Sequence, residues 1–286
     1  FMYIIRYLKS FIFSKYHHRL VFSFLICTLL PLIIMGSVLY SITHKIAGDS
    51  ILNSIILADD QLNIRINNRL NQVQKVSDTI RYDMYSLMQR MSHTSEDFSI
   101  LTNVRDNIYL LKSTFNLYHI DIFLDEKNIA SSEGLFFHPL YDLKEYGLEN
   151  IVNMDSKWIY KSNYQLPYVL DNSKKSQDVI GYVHTLNDQV TKETEYTYIV
   201  LINTSEFYDM LNESFEGVDL TGFIMDANGN IISHTNKELI GKKLDDVILN
   251  SILSNTKKIY ADKNLYYHAV ALDNGWYHVT EIPKIY

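Results

Sequence analysis

Residues 219–247 read DLTGFIMDANGNIISHTNKELIGKKLDDV. An apolar run at 220–225 meets Asp226, the dipeptide Asn228-Gly229 follows, and a second short run at 230–233 closes on His234. Asn-Gly supplies the positive φ of a tight hairpin, so the stretch predicts strand, turn and strand. Gly241-Lys242 is then the turn before a helix expected at 244–254, and strands are expected at 257–261, 266–272 and 276–281. Hairpin, loop, helix and a run of antiparallel strands make an α+β unit of roughly 65 residues.

Working back along the chain, the same plan recurs at greater length. Strands are expected at 118–124, 158–160, 179–186 and 196–202, with polar segments between them, and Thr204 is placed to cap a helix reaching 213. Before them, no Pro or Gly interrupts the chain between Gly48 and Gly134. Within it Leu62, Ile66, Leu70, Val73, Val76, Ile80, Met84, Leu87 and Met91 step by three or four, the period of one helical face. The spacing predicts a helix over 50–91, about 60 Å long, that packs on a sheet and is long enough to carry motion toward a membrane. A second helix is expected at 96–115 behind Ser95.

Residues 20–42 read LVFSFLICTLLPLIIMGSVLYSI and carry no charge. At about 1.5 Å per residue they exceed a hydrocarbon core of roughly 30 Å and predict a transmembrane helix. The run is longer than the apolar region of a secretory signal, about 7–15 residues. Arg6, Lys9, Lys15 and Arg19 precede it, whereas Lys45 alone follows before Asp49, Asp59 and Asp60, so the N-terminus is expected in the cytoplasm and residues from about 44 outside. The start at Phe1 and the stop soon after Pro283 are those expected of a fragment, with an output module beyond Tyr286.

Composition narrows the function. The first 45 residues hold five Lys/Arg and no acid, which leaves 21 basic against 33 acidic residues, or −12, for the rest. An acidic body argues against a nucleic-acid binder, whose affinity rests on phosphate neutralisation. One cysteine, Cys27, excludes an internal disulfide and a Cys-rich zinc site. His234, His268 and His278 fall on separate predicted strands without metal-ligand spacing, so no metal is expected. The 226–230 loop has its glycine at the fourth position and no twelfth-position Glu, which makes it a turn instead of a calcium loop. No nucleophile elbow or phosphate loop is present, the paired carboxylates at 125–126 and 245–246 read as solvated surface, and no enzymatic activity or cofactor is expected of this chain.

The motif at 219–247, with Gly275-Trp276 before a strand and Ile282-Pro283 at its exit, resembles the membrane-proximal half of a double Cache domain, the PAS-like sensor of bacterial receptors. Leu30-Pro31, Tyr40, Ser77 and Tyr82-Asp83 further resemble Gram-positive sensor histidine kinases. The resemblance implies an α+β fold: a cytoplasmic tail at 1–19, a membrane helix at 20–42, a signalling and dimerising helix at 43–93, and two tandem subdomains with antiparallel sheets. These are a membrane-distal one at 94–215 and a membrane-proximal one at 216–286, leading to a second span. It implies a homodimer that senses a small molecule. Chemoreceptors, cyclic-dinucleotide enzymes and membrane-bound transcription regulators carry the same sensors, and a one-span anchored binding protein is the reading without an output. Ligand binding is expected in the distal half, where Asp121, Trp158, Tyr160, Tyr182 and His184 line the pocket for a sugar, amino acid or other small organic molecule. Amino-acid-binding members carry Arg beside the Trp-Tyr pair, whereas this chain has Lys157-Trp158-Ile159-Tyr160-Lys161.

Overall fold

The computed structural model describes residues 16–91, 98–125, 136–153, 156–165, 176–188, 191–215, 217, 220–254, 259–261 and 265–284. Contacts divide the chain into two units, 1–57 and 58–285. The boundary falls inside helix α1, Tyr16–Met91, which is 76 residues long. In the first unit the large apolar side chains from Leu20 to Ile46 lie exposed along α1. By length and composition this helix can cross a membrane. The sequence predicts separate helices at 20–42 and 50–91, yet one continuous helix joins them. Nothing between them breaks helical hydrogen bonding, and an interior glycine such as Gly48 costs only about 1 kcal/mol relative to Ala. Pro31 is accommodated within α1.

The second unit holds the rest of α1, helix α2 (Phe98–Thr114) and two five-stranded sheets. The first sheet contains β1 (His119–Leu124), β2 (Phe137–Pro139), β3 (Lys157–Tyr164), β4 (Gln177–Asn187) and β5 (Thr194–Asn203) in the order β2-β1-β5-β4-β3. Helix α3 (Ser205–Ser214) leads to the second sheet of β6 (Thr221–Met225), β7 (Ile231–His234), β8 (Ile259–Ala261), β9 (Leu265–Ala271) and β10 (Tyr277–Pro283), ordered β7-β6-β10-β9-β8. Helix α4 (Asp246–Ser254) lies between β7 and β8 in sequence. All neighbouring strands run antiparallel except β1 and β2, which are parallel.

The period of three and four along α1 does what it predicts. Leu62, Ile66, Leu70, Val73, Val76, Ile80, Met84 and Leu87 are buried together with Ile120, Ile122, Val200 and Ile202 of the first sheet and Ile224 and Ile232 of the second. Each such side chain contributes roughly 1.5–3 kcal/mol by leaving water. The sheet faces that meet α1 are called inner below. The outer face of the first sheet buries Phe123, Val183, Ile199 and Leu201 under Leu143 and Ile151 of two 3-10 turns, Leu140–Lys144 and Glu149–Asn153, and Leu148 between them. On the second sheet, Leu249 and Ile252 of α4 cover Phe223, Met225 and Val279.

Polar latches fix α1 further. Arg69 donates to both carboxylate oxygens of Glu206 on α3, at 2.7 and 3.0 Å, and to the carbonyls of Phe115 and Asn116 at 2.8 and 3.0 Å. The buried Tyr198 hydroxyl donates to the Ser77 carbonyl at 2.6 Å and takes the Ser77 Oγ proton at 2.9 Å.

At the 226–230 turn, Asp226 Oδ1 accepts from the N–H groups of Asn228 and Asn230 at 2.9 and 2.8 Å, and Gly229 alone has positive φ, 82°. A Cβ on Gly229 would also come within 2.8 Å of Leu249. Three details depart from the sequence expectation. β3 runs from 157 to 164 instead of stopping at 160, with a bulge between Lys161 and Tyr164. β2 was not foreseen, because three residues hold too little alternation to read. Thr204 precedes α3, but its Oγ1 donates to the Asp178 carbonyl at 3.0 Å and makes no capping bond. The expected cap Ser95 lies outside the described residues.

Candidate functional site

Strand alternation sends His119, Asp121 and Phe123 of β1 outward and Ile120, Ile122 and Leu124 inward. Parallel pairing of Phe123 with His138 brings an imidazole from β2 to the same outer face. The Asp121 carboxylate is fully buried there, with Oδ1 at 3.2 Å from His119 Nε2 and 3.1 Å from His138 Nε2. Tyr164, past the β3 bulge, donates its hydroxyl proton to Oδ2 at 2.7 Å. Lys112 Nζ on α2 lies 3.1 Å from His119 Nδ1 and donates to it. That bond leaves the His119 Nε2 hydrogen for Asp121.

Burial alone would raise the Asp121 carboxyl, but the hydrogen bonds from His119 and His138 outweigh it and hold the group well below the usual carboxylate range. The Tyr164 phenol is pushed far up by burial first and by the neighbouring Asp121 second. The half-buried Tyr118 is raised for the same two reasons. Phe123 and Tyr146 close around His138, with ring centroids 5.3 and 5.8 Å from it. The site is thus a buried carboxylate held ionised by two imidazoles and a phenol, under an aromatic cover. The described residues include no His, Cys, Asp or Glu group arranged to hold a metal ion.

The other four sequence-predicted residues lie on the inner face. Trp158 and Tyr182 are direct cross-strand partners with ring centroids 5.1 Å apart. Trp158 also meets Trp276 of the second sheet's last hairpin at 6.2 Å, edge to face. The Tyr160 hydroxyl donates to Asp178 at 3.2 Å, and burial followed by Asp178 raises its proton affinity. The His184 ring lies 5.3 Å from Tyr198, the residue latched to Ser77. The structure therefore brings Trp158 together with Tyr182, sets Tyr160 and His184 along the same face, and puts Asp121 on the opposite one. His119, His138 and Tyr164 were not singled out from sequence. His119 was detectable, because His-x-Asp at a spacing of two shares one strand face; His138 and Tyr164 reach the site only through pairing and a bulge.

No protein-family model matches the chain. Among curated proteins, a leucine–tRNA ligase of Mycoplasmoides gallisepticum is 29% identical over 160 residues, 48% of this chain and 20% of that enzyme. The chain spans about a fifth of that ligase's length, and identity at this level does not make it a member of the ligase's family. Among solved structures, the periplasmic sensory domain of the Campylobacter jejuni chemoreceptor Tlp1 matches 80% of this chain and 94% of its own length, at TM-score 0.53 and 13% identity. An extracellular ligand-binding receptor from Desulfohalobium retbaense matches 80% of this chain at TM-score 0.45 and 12% identity, and the chain spans 40% of that receptor. The sensory domain of the Campylobacter jejuni chemoreceptor Tlp3 with isoleucine bound matches 82% of this chain and 94% of its own length, at TM-score 0.43 and 16% identity. The last two superpositions are too loose to carry an argument. The first one shows a shared fold with that domain and nothing beyond the fold.

Proposed function

We propose that this chain is the extracytoplasmic sensor and first anchor of a transmembrane receptor, with a two-component sensor histidine kinase as its parent protein. The observation that carries the reading is α1, which continues from an apolar, membrane-length stretch into the core beneath both sheets of a Cache-like fold. In this reading the first sheet belongs to a membrane-distal subdomain, 94–215, and the second to a membrane-proximal one, 216–286, that leads to a second span. The N-terminus is cytoplasmic, the sheets are outside, and the receptor is a homodimer. The region binds and does not catalyse.

The ligand is a small organic molecule of the sugar or amino-acid size class. Asp121, with His119, His138 and Tyr164, is its recognition centre on the outer face, approached past half-buried Tyr118. Trp158, Tyr160, Tyr182 and His184 respond from the inner face, where Trp158 touches Trp276 and His184 touches Tyr198. A ligand that favours one packing of the first sheet on α1 over another shifts the population of membrane-helix arrangements.

The likeness to a chemoreceptor sensory domain supports a second reading, in which the output is chemotactic. The coding sequence beyond Tyr286, followed by expression of the full receptor in vesicles with ATP, separates the two. The kinase reading predicts a second apolar span, a linker helix and acid-labile, histidine-linked phosphate. A methyl-accepting helical module without phosphorylation would establish the chemoreceptor, and a stop codon would leave an anchored binding protein.

A further inference from the structure

A second buried carboxylate lies where α1 meets the second sheet. Asp59 and Asn63 are one helical turn apart on α1 and are 0 and 4% exposed. Opposite them, β10 carries His278 and Thr280 on its inner face, and His268 of β9 is the register partner of Thr280. His268 Nδ1 bonds Asp59 Oδ2, and the Thr280 hydroxyl donates to Asp59 Oδ1. His278 Nδ1 donates to Asn63 Oδ1 at 2.9 Å and lies 3.5 Å from Asp59 Oδ1. All three strand residues are at most 1% exposed.

The titratable groups of this junction come from three elements: Asp59 from α1, His268 from β9 and His278 from β10. On the same face β6 and β7 bring Ile224 and Ile232, which do not titrate. One carboxylate thus faces two imidazoles. Each imidazole spends Nδ1–H on α1, and neither Nε2 meets a protein hydrogen-bond partner. A proton added to His278 Nε2 would therefore be a buried charge without an acceptor, next to a second imidazole. Such a charge is costly unless the packing opens.

We propose that Asp59, Asn63, His268, His278 and Thr280 form an acid-released clamp between α1 and the last two strands. A neutral His278 closes it, and protonation of that imidazole opens it. This is an input separate from the Asp121 site, and it makes the junction below both sheets responsive to external acidity whether or not a ligand is bound. The direction agrees with the environment of His278, which burial pushes down, against Asp59 and with His268. Because the native imidazole binds its proton more weakly than a free one of 6.5, the open state holds more protons below that value. Closure is fully favoured above about pH 6.5 and is lost as pH falls below it.

The test is hydrogen exchange of the full chain in lipid nanodiscs from pH 7.5 to 5, corrected for intrinsic exchange. Protection of the α1 segment around 58–66 and of β10 should fall by roughly tenfold per pH unit below 6.5 until the native His278 value is reached, while β4 and β5 keep theirs. His278→Asn retains a donor for Asn63 and cannot titrate, so it should flatten the profile and keep the high-pH protection. Should that variant fail to fold, histidine-selective NMR on the unaltered chain decides, with His278 titrating below 6.5 in step with the loss of protection. A profile that is flat in the unaltered chain, or identical in His278→Asn, overturns the clamp. So does a His278 titration that leaves protection unchanged. None of these readouts depends on a ligand, so the clamp can fail while the sensor reading stands.

Discussion

Asp121 and Asp59 are both completely buried; two imidazoles and a hydroxyl hold the first, and one imidazole and a hydroxyl hold the second, with another imidazole 3.5 Å away. Their surroundings give them different work. Around Asp121 every bonding partner lies within the first sheet, at 2, 17 and 43 residues along the chain, and Lys112 completes His119 from behind. Around Asp59 the partners on β9 and β10 lie 209 and 221 residues away, and each imidazole keeps an unpartnered Nε2. The first arrangement is a network confined to one sheet that fixes its outer surface. The second ties the helix that leaves toward the N-terminal apolar segment to β10, the last strand among the described residues. On the proposed function the same residue types make a recognition centre in one place and a joint in the other, and the elements they connect decide which.

The comparison is broken most severely by removing either carboxylate. Asp59→Ala strips the acceptor from the buried His268 imidazole and the Thr280 hydroxyl, and it should destabilise the second unit by about 3–5 kcal/mol. Chemical denaturation of the full chain in detergent checks this. Arg69→Met removes the bidentate bond to Glu206 and both carbonyl contacts, with an expected loss of about 2–3 kcal/mol by the same measurement. The acid limbs sharpen the contrast between the two sites. Asp121 is depressed in the folded chain, so its contribution is complete above the unfolded value of 3.8 and is lost as pH falls below it. Asp121→Asn should therefore flatten the stability profile below about pH 4 and leave the limb below 6.5 unchanged, whereas His278→Asn should do the reverse. The smallest effect is Tyr198→Phe, which removes one buried hydroxyl from Ser77 and should cost about 1 kcal/mol.

Much of the fold is legible because its signals are local. The step of three and four from Leu62 to Leu87 gives the buried face of α1, the apolar runs at 179–186 and 196–202 give the cores of β4 and β5, and Asp226 with Gly229 gives the hairpin. The site is only half legible, and register explains why. Alternation within one strand places His119 beside Asp121, but which face of another strand joins them depends on pairing, where a slip of one residue reverses the side chains. Trp158 and Tyr182 do pair, on the face opposite Asp121. His138 comes from a three-residue parallel strand and Tyr164 from beyond a bulge, neither with a local pattern. Nothing in the sequence near Asp59 announces a partner 209 residues away.

Calorimetric titration of the full chain in nanodiscs with the proteinogenic amino acids, hexoses and short dicarboxylic acids, repeated on Asp121→Asn and Trp158→Phe, tests the sensor account most directly. The account predicts that one of these compounds binds, that a folded Asp121→Asn chain loses the binding, and that Trp158→Phe retains it. Absence of binding across the panel, or affinity unchanged in Asp121→Asn and abolished in Trp158→Phe, would contradict it.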